Sequence, residues 1–255
     1  MPFTVVQLTD PHIGAQWSTR AASTLGAVVA AVGELLGRAP DAVIVTGDVA
    51  STPTDGEYAE ARAILDGLGA PLYPVPGNHD DGAGLLRHFA TPSGTTSYAA
   101  GLGPVRLVAL DTTRPDDAGG RLDPARLEWL EATLAEDAST PTLLAMHHPP
   151  LVTGIPTMDA IGIADGERRA LADILARHPQ VQVIACGPIS PQASCGSCLT
   201  RRASRSTSCS TGASCRTSSR CRMPRATPDR LPGPGPHVHR LPSPGPGSTW
   251  VCPPG

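Results

Sequence analysis

Pro76-Gly77-Asn78-His79-Asp80 follows an apolar run, Leu72-Tyr73-Pro74-Val75, that reads as a buried strand. The tetrad Gly-Asn-His-Asp therefore sits just past a strand end, where glycine lets the backbone turn sharply. Asn78 brings a neutral amide oxygen that suits a hard cation, and His79 an imidazole that can carry a proton near neutral pH. Taken alone, the tetrad is equally an ordinary turn, because Gly, Asn and Asp are turn formers for local backbone reasons. Two comparable clusters upstream and one downstream outweigh that reading.

Upstream, the β-rich run Phe3 to Leu8 ends at Thr9-Asp10-Pro11-His12. Ala42 to Thr46 is continuously apolar, the mark of a strand covered on both faces, and ends at Gly47-Asp48. Between these strands the apolar period becomes helical. Leu25, Val28, Val29, Val32, Leu35 and Leu36 make one face of a helix that begins after Ser18 and stops near Gly37. Tyr58, Ala61, Ile64, Leu65 and Leu68 make the inner face of a second helix, with Asp55 read as its N-cap. The result is a βαβαβ progression, and open α/β sheets gather their sites beyond the carboxyl ends of the strands.

Downstream come a short helix from Ala83 to Phe89 and a strand from Val105 to Leu110 that ends at Asp111. A helix with Pro124 in its first turn follows, then a strand from Thr142 to Met146 that delivers His147-His148-Pro149-Pro150. A loop through Met158-Asp159, a helix carrying Leu171, Ile174 and Leu175, and a strand from Val181 to Cys186 close the pattern. Asp111, His88 and His178 are read as structural: His88 as a surface or packing residue, and His178 beside terminal helix carbonyls.

Charge divides the chain at the same place. Residues 1–187 hold 22 acids against 11 arginines, a formal charge of −11, whereas residues 188–255 hold 9 arginines against Asp229 alone, or +8. All seven cysteines lie from Cys186 onward, so residues 1–185 have no disulfide framework and no thiolate zinc site. An acidic domain does not meet a nucleic-acid backbone. The longest apolar stretch, Leu25 to Leu36, is too short for a membrane span, and no basic leader precedes the first strand. The expectation is a cytoplasmic domain with a small-molecule partner, no nucleic acid and no membrane, and a homodimer is compatible with it.

Asp10-x-His12, Gly47-Asp48, Gly77-Asn78-His79-Asp80 and His147-His148 thus form four strand-end clusters of O and N donors. Mixed carboxylate, imidazole and amide oxygen is the donor set of Fe, Mn or Zn in a hydrolytic two-metal site. These motifs, in this order over residues 3 to 187, resemble the calcineurin-like metallophosphoesterases, whose pattern is DxH, GD, GNH(D/E), H and GHxH. More narrowly they resemble bacterial class III 3′,5′-cyclic nucleotide phosphodiesterases.

The resemblance implies a four-layer α/β/β/α sandwich, C-terminally incomplete, and hydrolysis of a cyclic nucleotide by attack of a metal-bridging hydroxide. Broad phosphodiester or phosphomonoester hydrolysis, and an inactive product that binds metal weakly, are the alternatives. It implies two metal ions, Fe and/or Mn with Zn as a further candidate. Asp10 and His12 would serve the first, Asn78 and His147 the second, and Asp48 would bridge them. His79 would be the catalytic proton donor to the leaving group, with His148 and Asp80 supporting the ligands.

The pattern breaks after Gly187, where Pro188-Ile189-Ser190 stands in place of HxH. Residues 188–255 are rich in Ser, Arg, Pro and Cys and read as a disordered tail that follows a shift of reading frame. Two lesser readings concern that tail. Pro236-His237-Val238-His239-Arg240 offers H-x-H spacing as a substitute ligand pair, and Cys195-Gly196-Ser197-Cys198 is a C-x-x-C with no matching second pair.

Overall fold

In the computed structural model the described residues are 2–16, 18–115 and 117–187, together with the backbone of the strand His237–Leu241. Three parallel strands, β1 (Phe3–Leu8), β2 (Ala42–Thr46) and β3 (Leu72–Val75), lie in the order β3-β2-β1. A second sheet runs β4 (Tyr98–Gly101), β5 (Arg106–Ala109), β6 (Thr142–Ala145) and β7 (Val181–Ala185), with β4 antiparallel to β5 and the rest parallel.

Alternation along the strands builds the layers. Val6, Leu8, Val43 and Val45 face α1 (Ala21–Leu36), α2 (Asp55–Leu65) and α3 (Gly82–His88), meeting Leu25, Val32, Tyr58, Leu65 and Leu85. Their neighbours Val5 and Ile44 point the other way and pack between the sheets with Tyr98, Leu107, Ala109, Leu143 and Ala145. On the far side Val108, Leu110, Leu144 and Met146 pack under α4 (Pro124–Ala135) and α6 (Asp165–Arg177). Three apolar seams between four layers make an α/β/β/α sandwich. A short helix, α5 (Pro156–Ala160), lies in the segment read from sequence as a loop.

Local chemistry sets the boundaries. α1 ends where Gly37 turns left-handed at φ 63°. Asp123 caps α4, with Pro124 in its first turn. α2 is capped by Thr54, whose side chain accepts from the Glu57 amide, so Asp55 is the first helical residue rather than the cap. Leu35, at the margin of the α1 stripe, is 65% exposed and leaves Leu25 and Val32 as the residues that the helix fully buries.

The tail differs from its expected character at one point. His237–Leu241 forms β8, antiparallel to β1 with Phe3 opposite Leu241 and Gln7 opposite His237. The free edge of β1 offers a row of backbone donors and acceptors, and this pairing satisfies them. The frame-shift, C-x-x-C and remaining disorder readings of 188–255, and the side chains of the H-x-H pair, lie outside the described residues. Among the described residues no helix is long and apolar enough to cross a membrane.

Candidate metal centre

The loops after β1, β2, β3 and β6 meet at one end of the two sheets, and hydrogen bonds zip them together. Asp10 N–H donates to the Gly47 carbonyl (3.1 Å), His12 N–H to Asp48 (2.9 Å) and Ile13 N–H to Val49 (3.0 Å). Gln7 ties the sheets to each other, its amide donating to Thr46 Oγ1 and to the Cys186 carbonyl, both at 2.9 Å. Asp10, His12 and Asp48 are the non-glycine residues with positive φ (54°, 45° and 51°) among the described residues. Such backbone costs about 1–3 kcal/mol per residue and persists only where the surroundings enforce it.

Two trios converge in this frame: Asp10, Asp48 and His147, and His12, Asp48 and His79, each with ligand atoms within 4.8 Å of one another. Asp48 belongs to both. His147 Nε2 lies 3.6 Å from Asp48 Oδ2 and 3.2 Å from Asn78 Oδ1, and His12 Nε2 lies 3.4 Å from Asp48 Oδ2. Close backbone approach makes this contact geometry attainable. A Cβ on Gly47 would stand 2.3 Å from His147 Nδ1, and one on Gly77 would stand 2.2 Å from Asp48 Oδ1.

The donor set fits a cation. His147 Nδ1 is 2.9 Å from the Thr46 carbonyl, which can only accept, so Nδ1 carries a proton and the lone pair of the neutral ring is on Nε2. That lone pair, the Asn78 amide oxygen and an Asp48 carboxylate oxygen all face one another, an arrangement that either a bound cation or a proton on Nε2 satisfies. The same crowding appears in the titration behaviour. Burial pushes Asp10 up to about 7 against the pull of His147, with Asp48 adding to the rise. Burial opposes a charge on His147, but Asp10 and Asp48 outweigh it and hold its pKa above the ordinary imidazole value. Burial lowers His12.

Of the residues singled out in the sequence, the structure brings Asp10, His12, Asp48, Asn78, His79 and His147 together. His79 N–H donates to Asp48 Oδ1 (2.9 Å), and its Nδ1 is 3.1 Å from the Ser51 carbonyl. His148 turns away: Nδ1 meets Thr112 Oγ1 (2.8 Å) and Nε2 the Ala118 carbonyl (3.1 Å), so both ring nitrogens are engaged. Burial lowers it to about 4. Asp80 lies beneath the cluster and accepts from the amides of Gly77 (2.9 Å), Val49 and Ala50 (both 3.1 Å), which locks the β3 loop to the β2 loop. Asp111 instead bonds Thr96 and Thr113, and His88 pairs with Asp55 and stacks on Tyr58. The carbonyls of Thr46 and Ser51 were beyond sequence reasoning, because a main-chain acceptor has no residue signature.

The family profile for calcineurin-like phosphoesterases matches residues 3–187. A probable cyclic nucleotide phosphodiesterase of a Synechococcus species is 33% identical over 189 residues, covering 73% of each chain. A probable glycerophosphodiester phosphodiesterase of Arcobacter nitrofigilis is 36% identical over 155 residues, which cover 59% of this chain and 56% of the relative. The structure of a purple acid phosphatase from yellow lupin superposes with a TM-score of 0.52 at 14% identity, over 73% of this chain and 38% of that one. That last likeness concerns the fold alone.

Proposed function

The chain belongs to the calcineurin-like phosphoesterase family, and on that premise we propose that it hydrolyses phosphodiesters, with 3′,5′-cyclic nucleotides as its substrate class. The observation that carries this reading is the convergence of Asp10, His12, Asp48, Asn78, His79 and His147 at four strand ends. Members of this family are dinuclear metal enzymes. Here Asp10 and His12 would hold one ion, Asn78 and His147 the other, and Asp48 both. An all-oxygen-and-imidazole donor set suits Fe or Mn, with Zn a further candidate. Two bound ions supply a nucleophilic water of lowered pKa and offset the charge on phosphate.

The chain's own side chains supply the rest. The Thr46 carbonyl keeps the Nε2 lone pair of His147 turned into the centre, and the Ser51 carbonyl does the same for the ring of His79. In its doubly protonated form, with Nδ1–H kept on the Ser51 carbonyl, His79 would hand the Nε2 proton to the departing alkoxide, which is a poor leaving group at neutral pH. The acidic body suits a small phosphodiester held by metal and disfavours nucleic acid.

The glycerophosphodiester relative supports a second reading, a broader phosphodiesterase. The purified full chain, supplied with manganese, should cleave cyclic AMP with a higher kcat/KM than a glycerophosphodiester and should stop when a chelator is added. Equal or reversed preference would favour the broader reading. Undiminished hydrolysis in chelator would sink both.

A further inference from the structure

We propose that Glu57, on α2, is a positioning residue that acts on His79 through the Ser51 carbonyl. The inference rests on the role given to His79 above. Thr54-Asp55-Gly56-Glu57 has the T-x-x-E spacing of a capping box, in which the Glu carboxylate bonds the N-cap's own amide and merely starts the helix. Only half of that box forms. Thr54 Oγ1 does accept from Glu57 N–H (3.3 Å), but Glu57 Oε2 reaches past Thr54 to accept from Thr52 N–H (2.8 Å) and Ser51 N–H (3.1 Å). The carboxylate therefore fixes the peptide segment whose carbonyl meets His79 Nδ1.

The other side of the carboxylate is equally constrained. Gly14, two residues beyond His12, passes so close that a Cβ there would stand 2.2 Å from Glu57 Oε1. Ser51 N–H also bonds the Ile13 carbonyl (2.9 Å). One carboxylate thus sits where the loop carrying His12 and the segment facing His79 touch, and the rings of those two histidines meet edge to face at 4.9 Å. With Nδ1–H given to Ser51, it is Nε2 of His79 that serves the cluster. A carbonyl holding the second nitrogen of a site histidine fixes both its tautomer and its ring plane, and losing such support costs about 10- to 100-fold in affinity or rate.

The tests use the full chain. In the metal-free protein labelled with 15N-histidine, long-range 1H–15N spectra should show His79 in the Nδ1–H form. Glu57→Ala should shift it mainly to the Nε2–H form, and Glu57→Gln, which keeps an acceptor oxygen, should restore the original tautomer. With manganese and cyclic AMP, whose departing alkoxide needs a proton, Glu57→Ala should lower kcat about 10- to 100-fold with little change in KM, and should add nothing in a His79→Ala background. If the alanine variant fails to fold, Glu57→Asp, which keeps the charge and shortens the reach, carries the same expectations. A His79 that stays Nδ1–H when Glu57 is removed overturns the inference, as does a full additive loss in the double variant. If His79→Ala leaves kcat intact, the role of His79 is what fails, and the tautomer measurement still decides the coupling to Glu57.

Discussion

Asp48 is the residue on which both trios depend. Its carboxylate faces His12 and His147 and accepts from the His79 amide. Asp48→Ala should therefore take the chain from two manganese equivalents to none, measured by metal analysis after desalting. Retention of one equivalent would mean that Asp48 is not required by both ions. Asp159 offers a pH test away from the centre. The Thr153 amide at 2.7 Å, with the Thr153 hydroxyl and Gly154 amide behind it, holds its carboxyl below the ordinary aspartate value. A depressed carboxylate pKa means that the contribution is present above the unfolded value, about 3.9, and lost as pH falls through the folded one. The Thr153 amide resonance should move only in acid below that ordinary value. An inflection at or above it would contradict the assignment.

Among the elements, α2 does more than pack. Tyr58 is fully buried, its hydroxyl lying 3.3 Å from Asp80 Oδ1 and 2.8 Å from the Asp81 amide. Tyr58→Phe leaves Asp80 short of a donor and the Asp81 amide short of an acceptor, which should cost about 1–3 kcal/mol. Roughly 2–4 °C of melting temperature per kcal/mol is the expected readout, and an unchanged melt would show that the loops do not need the hydroxyl. The sequence made Tyr58 legible as a core position, through its helical spacing with Ala61 and Leu65, but not as a polar pin. The strands that end in site residues were readable because β-branched and apolar runs stop abruptly at Asp, His or Gly. β4 was not, because Tyr98-Ala-Ala-Gly101 is short and small-residued and becomes a strand only through its pairing with β5. His148, read as a supporting or loop-fixing residue rather than a ligand, bonds Thr112 and the Ala118 carbonyl, partners too distant in sequence for any local pattern to name.

For the molecule as a whole, among the described residues β8 ties the region after residue 187 to the sandwich. Replacing both Val238 and His239 with proline removes two adjacent amides from the pairing, at least one of which faces β1. The exposed edge should then recruit other copies. Light scattering should report higher-order species at micromolar concentration, and a variant that stays monodisperse would show that the edge is protected by other means. The Pro188-Ile189-Ser190 break bears on metal affinity, since the family pattern places a histidine for each ion there. The frame-shift reading stands or falls on the nucleotide sequence after codon 187. One alternative frame should encode GHxH followed by strand-like sequence, and its absence from both frames would end that account.

The left-handed backbones of Asp10, His12 and Asp48 carry a consequence for anyone who selects this chain for robustness. Glycine accepts that conformation without strain, so His12→Gly or Asp48→Gly would relax a loop that only a ligand can justify. A screen scored on melting temperature without metal would rank such variants level with or above the parent while discarding the donors of the centre. Scored with manganese present, the order should invert, because bound ions stabilise only a chain that can hold them. Durability and activity are therefore opposed at these three backbone positions, and the conditions of the assay decide which of them is optimised.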